Sequence, residues 1–395
     1  MFQKQHSPTR AIAREKWFLV KTLQLPIKFS SFLFDFYRFL CTINSAQTAN
    51  IPNKLMELPN ADIPENLIQQ ISSELLQTLL IDHTVSTPKR RKNIFWATTD
   101  YAELGKGYQY HDPILPKYIT GKNGQVIMPR VLKAKSTQQE RSHSMAEVFT
   151  PPWICNVQLN QIDEKWFGRK NVFNTETVDE SGNRSWIATT DKIEFPVGKT
   201  WRDYVRDNRI EITCGEAPYI ASRYDTTTGQ PIPIAQRIGI LDRKLRIISE
   251  NTTKSGEWLK AAQQAFMSTY AYEWQGDNLL LTREAMLISF IEYYKEKFGK
   301  MPLLRSMKYI AYIISWNVWQ MDGLKGVVPN SCHIEKKKVP VLRLFDDSGE
   351  NVTHEPCPGC EKNDFYLHNG IYCIIRDWRK KKEKSKIRFI DLLTR

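Results

Sequence analysis

IEITCGEAPY, from Ile210 to Tyr219, is the stretch that decides the fold. Ile210–Thr213 reads as a buried strand. Gly215 reads as a tight turn, because glycine tolerates positive φ and lets another molecule approach the backbone. Pro218 suits the first position of a helix beginning over Tyr219–Tyr224. A strand, turn and helix in that order form the repeating unit of an open parallel sheet. Such sheets bind ligands at the carboxyl ends of their strands, where helix amides face the ligand. Glu211 stands in the strand end, placed to receive a positively charged amino group. On this block alone, a one-glycine strand–helix turn that binds nothing stays ahead of a cofactor site.

The flanking pattern agrees with an α/β domain. Glu257–Thr269, Leu279–Phe298 and Leu304–Trp316 carry apolar residues at helical spacing, with Leu281, Ala285, Ile288 and Ile291 along one face. Thr200–Asp207 predicts a short helix with Thr200 as N-cap and Asp203 at its third position. Pro64–Leu80 predicts a helix, Lys133–Arg141 a solvated helix or linker, and Asn93–Tyr101, Trp186–Ala188 and Ile193–Phe195 predict strands. Ile387–Leu393 reads as a last apolar strand. These readings divide the chain into an N-terminal extension (1–60), a helical or mixed region (61–144), a cofactor-binding core (145–330), a possible zinc-ribbon-like segment (331–378) and a basic run with a terminal strand (379–395).

The chain has 395 residues, a hydrophobic fraction of 41% and a formal net charge of +13. That length and apolar content specify a globular protein with a large core. The charge favours a polyanionic partner, nucleic acid first. Lys21, Lys28, Asp35 and Arg38 interrupt the apolar stretch Trp17–Ile43, so it lacks the ~20 apolar residues of a membrane span. An odd set of seven scattered cysteines points to reduced thiols in a bacterial-type cytoplasm.

A second block, EVFTPPW (Glu147–Trp153), precedes the first, and the pair in this order resembles the cofactor-binding half of adenine-N6 DNA methyltransferases. The family motif runs acid, Pro, small residue, Cys, Gly, Thr, Gly, any residue, aromatic. Here Glu211, Thr213, Cys214, Gly215 and Tyr219 match, while Ile212 replaces the proline and Ala217 the second glycine. The resemblance implies a Rossmann-like S-adenosylmethionine-dependent methyltransferase core, with a helical or irregular N-terminal region and a small cysteine-rich C-terminal insertion. It implies that Phe149, Thr150 and Pro151 close over the methionine end of S-adenosylmethionine. Glu273, or alternatively Asp277 or more weakly Asp242, takes the ribose, and Asp322 the adenine amino group. The family's Asn-Pro-Pro-Tyr type of catalytic tetrapeptide is absent from this sequence, so no catalytic residue is assigned. From about Leu79 onward the chain resembles restriction endonuclease subunit M. That implies DNA as substrate and a companion chain carrying the catalytic motif and target recognition.

Cys357-Pro-Gly-Cys360 is a knuckle that can hold one edge of a zinc tetrahedron. Cys332 and Cys373 complete a candidate set, with His333, His354 and His368 as substitutes; free, partly buried thiols are the equal alternative. Two further readings compete. Asp242-Arg243-Lys244 imitates the acid-x-Lys half of a metal-dependent nuclease. A non-catalytic DNA-binding scaffold subunit would use the basic runs Pro88–Lys92 and Arg379–Lys386, with Trp96, Tyr101, Tyr108 and Tyr110 stacking on unpaired bases.

Overall fold

The computed structural model describes residues 61, 65–145, 150–339, 351–381 and 384–393. The N-terminal extension and Phe149 lie outside the described residues. In chain order the elements are α1 (Glu65–Ile71), α2 (Ser73–Leu79), α3 (Pro116–Ile119), α4 (Lys135–Met145), α5 (Pro152–Phe167), β1 (Asn174–Val178), β2 (Arg184–Ala188), α6 (Trp201–Arg206), β3 (Arg209–Ile212), α7 (Ile240–Asn251), α8 (Ser255–Met267), β4 (Thr269–Glu273), α9 (Gly276–Phe298), α10 (Leu304–Asn317), β5 (Val318–Gln320), β6 (Glu335–Val339), β7 (Asn351–Glu355), α11 (Pro358–Lys362), β8 (Ile374–Arg376) and β9 (Lys386–Arg388).

The architecture is α/β. Strands β3, β4 and β5 form a three-stranded parallel sheet with β4 in the middle. Parallel neighbours need a crossover, which α7 and α8 supply between β3 and β4, and α9 and α10 between β4 and β5. Three antiparallel hairpins, β1–β2, β6–β7 and β8–β9, stand outside this sheet.

One hydrophobic cluster runs from Ile68 and Leu76 through Leu245, Leu280 and Ile288 to Val318, so α1, α2 and α3 share a core with the sheet's helices. A second cluster joins Tyr272, Trp319, Met321, Val328, Cys373, Ile375 and Phe389, and here the C-terminal hairpin β8–β9 covers the sheet. Helix α9 is buried on every side from Gly276 to Ile291, rather than along the single apolar face its spacing predicts. Its polar residues therefore need internal partners. Arg283 donates to the carbonyls of Leu79, Ile81 (3.0 Å), Ser315 (3.3 Å) and Val318 (2.6 Å), satisfying the exposed ends of α2 and α10.

Several local expectations differ from the structure. No helix follows Pro218: Ala217 sits at φ +68, Tyr224 bridges to Pro231, and the next helix, α7, begins at Ile240. Asn93–Tyr101 makes isolated bridges at Asn93 and Phe95, and Ala97 at φ +53 breaks its extension. Ile193–Phe195 is irregular, and the strand expected over Ile387–Leu393 ends at Arg388 in a 3-10 turn. Lys133–Arg141 does lead into a helix, yet Arg141 is buried rather than solvated. The Thr200–Asp203 capping box is present, with the Asp203 carboxylate accepting from the Thr200 N–H at 2.8 Å.

Candidate cofactor site and metal centre

Strand β3 alternates its side chains, so Arg209 and Glu211 point inward while Ile212 is exposed. Burial pushes the Glu211 carboxyl well above the ordinary carboxylate range. Glu273 raises it further, and the Tyr219 backbone N–H opposes the shift. Glu211 Oε2 is buried without a hydrogen-bond partner. After the strand the backbone turns through three left-handed residues, Thr213 (φ +50), Gly215 (φ +53) and Ala217 (φ +68). A β-branched residue there is strained, and such strain concentrates at functional sites. A Cβ built on Gly215 would meet nothing within 4 Å, so this side of the turn is open.

Glu273 fixes the turn. Its carboxylate accepts from the N–H of Gly215 at 2.9 Å, of Trp274 at 2.9 Å and of Gln275 at 3.3 Å, tying the ends of β3 and β4 together. A carboxylate offers about four acceptor sites, so little capacity is left for two ribose hydroxyls. Cys214 is buried, with Sγ 3.5 Å from Thr282 Oγ1, and Thr282 donates to the Gly215 carbonyl at 2.6 Å. The Thr213 hydroxyl donates to the Ile212 carbonyl at 2.7 Å.

The start of α5 lies beside this turn. Thr150 is not its N-cap: Pro151 holds that position and Pro152 the first helical one. The Thr150 carbonyl accepts from the Thr226 hydroxyl at 3.0 Å, and the Tyr219 hydroxyl donates to Gln158 Oε1 at 2.5 Å. Cys155, on the buried face of α5, has its thiol pushed up by burial and by Glu211, which brings that carboxylate, Tyr219 and the helix start into one neighbourhood.

Asp322 follows β5, where its carboxylate accepts from the Leu324 N–H at 3.0 Å and shapes the turn. Glu211, Glu273 and Asp322 thus lie at or just beyond the carboxyl ends of β3, β4 and β5. Asp277 is committed elsewhere. It is fully buried, 3.0 Å from Arg141 Nη1 and 3.3 Å from Lys133 Nζ, and it accepts from the Tyr101 hydroxyl at 2.8 Å. Burial pushes its carboxyl up, but Arg141 and Lys133 outweigh that and hold it below its usual range. It clamps α4 to α9.

The nuclease reading loses its residues to the core, and the scaffold reading loses three of its four aromatics. Asp242 accepts from Ser222 N–H (2.8 Å) and Gly239 N–H (3.1 Å), and Lys244 donates to the Ser268 hydroxyl (2.7 Å) and the Asp207 carbonyl (2.7 Å). Both are fully buried, so the acid-x-Lys pair presents no nuclease site, and Asp242 is out of reach of a ribose. Trp96, Tyr101 and Tyr108 are buried, with the Trp96 indole donating to the Gly107 carbonyl at 2.9 Å. Tyr110 accepts from Trp274 Nε1 at 3.2 Å and Asn330 Nδ2 at 2.8 Å. Trp96, Tyr101 and Tyr108 thus build the N-terminal region and are not stacking platforms.

A second site lies in the C-terminal segment. The sulfurs of Cys332, Cys357 and Cys360 stand 3.6, 3.6 and 3.7 Å from His368 Nδ1, and the four ligand atoms lie within 4.8 Å of one another. The cluster can hold a metal ion. The expected fourth ligand, Cys373, is not part of it. Cys373 and Ile375 share the inward face of the extended chain and pack against Trp319 and Phe389, with the thiol donating to the Gln320 carbonyl at 3.4 Å. His368, named as a substitute on sequence grounds, takes that place. Gly359 makes it possible: a Cβ there would fall 2.5 Å from His368 N. The Asn369 N–H donates to Cys357 Sγ at 3.2 Å, as expected of a ligand sulfur held by its surroundings.

Among the described residues no helix is long and apolar enough to cross a membrane. No protein-family model, curated protein or solved structure matches this chain.

Proposed function

We propose that this chain is the DNA-modification subunit of a restriction–modification system, binding S-adenosylmethionine for adenine-N6 methylation, with the catalytic motif and target recognition on a companion chain. One observation carries the reading: the buried, unpartnered Glu211 Oε2 beside the open side of Gly215, at the carboxyl end of a parallel strand. A buried carboxyl in that state lacks a cation, and the α-ammonium of the cofactor is one. When bound, the cofactor supplies an activated methyl group. The residues of this chain hold its methionine end, with Tyr219 and Thr150 beside Glu211 and the Gly215 amide already fixed by Glu273. Calorimetry tests this: the chain binds S-adenosylmethionine, and Glu211→Ala weakens binding by at least tenfold, about the 1.5–3 kcal/mol of a charged hydrogen bond. A folded wild-type chain that shows no binding removes the proposal.

We infer that the metal of the second site is zinc, in a structural role. A tetrahedral ion with Zn–S of about 2.3 Å and Zn–N of about 2.0–2.1 Å separates sulfur from nitrogen by about 3.6 Å, close to the spacing of the cluster. With four protein ligands the coordination shell is closed. Free thiols elsewhere in the chain, and thiolate ligation here, suit a reducing cytoplasm. Elemental analysis is expected to find one zinc per chain. Cys357→Ser and His368→Ala lose it, while Cys373→Ser retains it. Loss of zinc in Cys373→Ser with retention in His368→Ala would reinstate the all-cysteine set.

A further inference from the structure

We propose that the surface on which the two basic runs of this chain meet binds the phosphate backbone of duplex DNA, an inference that rests on the DNA-modification reading above. The runs are nearly 300 residues apart in sequence, and the fold brings them together. The Ile374 N–H donates to Thr84 Oγ1 at 3.2 Å, seating β8 against the turn that carries Lys89, Arg90, Arg91 and Lys92. All four of these cations are exposed. His83 reports the convergence from beneath: its imidazole is pushed down to about 3 by burial first, then by Arg283, Lys386, Arg376 and Arg91.

The cations stand on a rigid aromatic frame. Arg376 stacks 4.3 Å from the Trp378 ring and donates to the Tyr312 hydroxyl at 2.6 Å, and Lys386 lies 5.3 Å over the Trp316 ring. His83 stacks on Trp316, its ring nearly parallel with centroids 3.9 Å apart. Nearby acids are already engaged: Asp377 by Arg379 at 2.9 Å, and Glu74 by Lys308. Asp82 is buried beneath this surface, where its carboxylate accepts from the Thr84 N–H at 2.8 Å. The result is a set of placed positive charges packed against aromatic rings. Single strands need open aromatic faces for base stacking, whereas a duplex backbone needs only placed cations.

The test is fluorescence anisotropy of the full chain on a labelled duplex across a salt series. Each phosphate contact contributes a slope of about 0.9 in log–log form, so losing one costs roughly tenfold in affinity near 0.1 M salt. Arg91→Ala combined with Lys386→Ala is expected to weaken binding by well over tenfold and make the salt slope shallower by about two. Lys170→Ala, on the loop after α5, changes neither. Unchanged affinity and slope in the double variant overturn the surface, as does a wild-type chain that binds no duplex. Preferential displacement of the duplex by single-stranded RNA of equal length also overturns it. Calorimetry with S-adenosylmethionine on the same proteins separates the two ideas. Duplex binding lost in the double variant, with no cofactor binding in wild type, leaves the surface and removes the modification reading. Cofactor binding with a duplex affinity insensitive to these substitutions does the reverse.

Discussion

Asp163→Ala lowers the unfolding free energy by about 3–5 kcal/mol, the scale for removing one partner of a buried ion pair. Asp163 closes the last turns of α5 and meets β3 and α7 at one point. Arg243 Nη1 lies 2.5 Å from one carboxylate oxygen, Arg209 Nη2 lies 2.8 Å from the other, and the Tyr204 hydroxyl donates to the latter at 2.8 Å. All four side chains are buried. Burial alone would raise the Asp163 carboxyl, but the two guanidinium groups outweigh it and hold it below its ordinary range. Alanine leaves two cations facing each other away from water, whereas asparagine in the same place keeps a hydrogen-bond acceptor but not the charge. Denaturant unfolding at neutral pH is expected to rank wild type above Asp163→Asn above Asp163→Ala, and a loss under 1 kcal/mol in the alanine variant contradicts the account. The sign of the pH dependence follows from the depressed acid. Its contribution is complete above the unfolded-state value near 3.9 and is lost as pH falls through the lower folded-state value, so the gap to Asp163→Ala narrows in acid.

Asp163 also marks what sequence could and could not reveal. Periodicity and capping are local, and they located α6, α8, α9 and α10, the strand β3, and the Gly215 turn. The segment after that turn follows long-range partners instead. Arg223 pairs with Glu292 at 2.8 Å, Tyr224 donates to Glu216 at 2.6 Å, and Ser222 donates to Asp242 at 3.1 Å. Together with left-handed Ala217, these contacts hold residues 218–232 irregular where Pro218 suggested a helix. Charged residues misled for the same reason. Asp242-Arg243-Lys244 imitates the acid-x-Lys half of a nuclease site, yet α7 buries all three, each against groups from other elements. In the metal cluster, the Cys357–Cys360 knuckle was legible from its spacing. The choice between His368 and Cys373 depended on which side of the chain faces the sheet, and Cys373 lies in phase with Ile375.

Glu211→Gln is expected to stabilise the protein at pH 8 by about 1–3 kcal/mol while weakening cofactor binding, the scale being that of a buried polar group without a full partner. The wild-type carboxyl is raised in the folded state by burial and by Glu273, so folding keeps a proton that the unfolded chain releases near pH 4.3. Below that value both states are protonated and the residue has no pH-dependent effect. As pH rises above it, the unfolded state loses protons first, and wild-type stability falls until the folded-state value is passed. Glutamine does not titrate, so the difference between the two proteins opens above pH ~4.3 and grows toward alkaline pH. Urea midpoints at pH 4 and pH 8 measure it directly. Saturating S-adenosylmethionine supplies the missing cation to wild type and not to the variant, so the ligand reverses the order at pH 8. A carboxyl that destabilises the free protein yet stands beside an open glycine turn is what a binding site for an ammonium group requires. If Glu211→Gln has the same pH-dependent stability as wild type, Oε2 is not the uncompensated group, and the site loses its electrostatic basis.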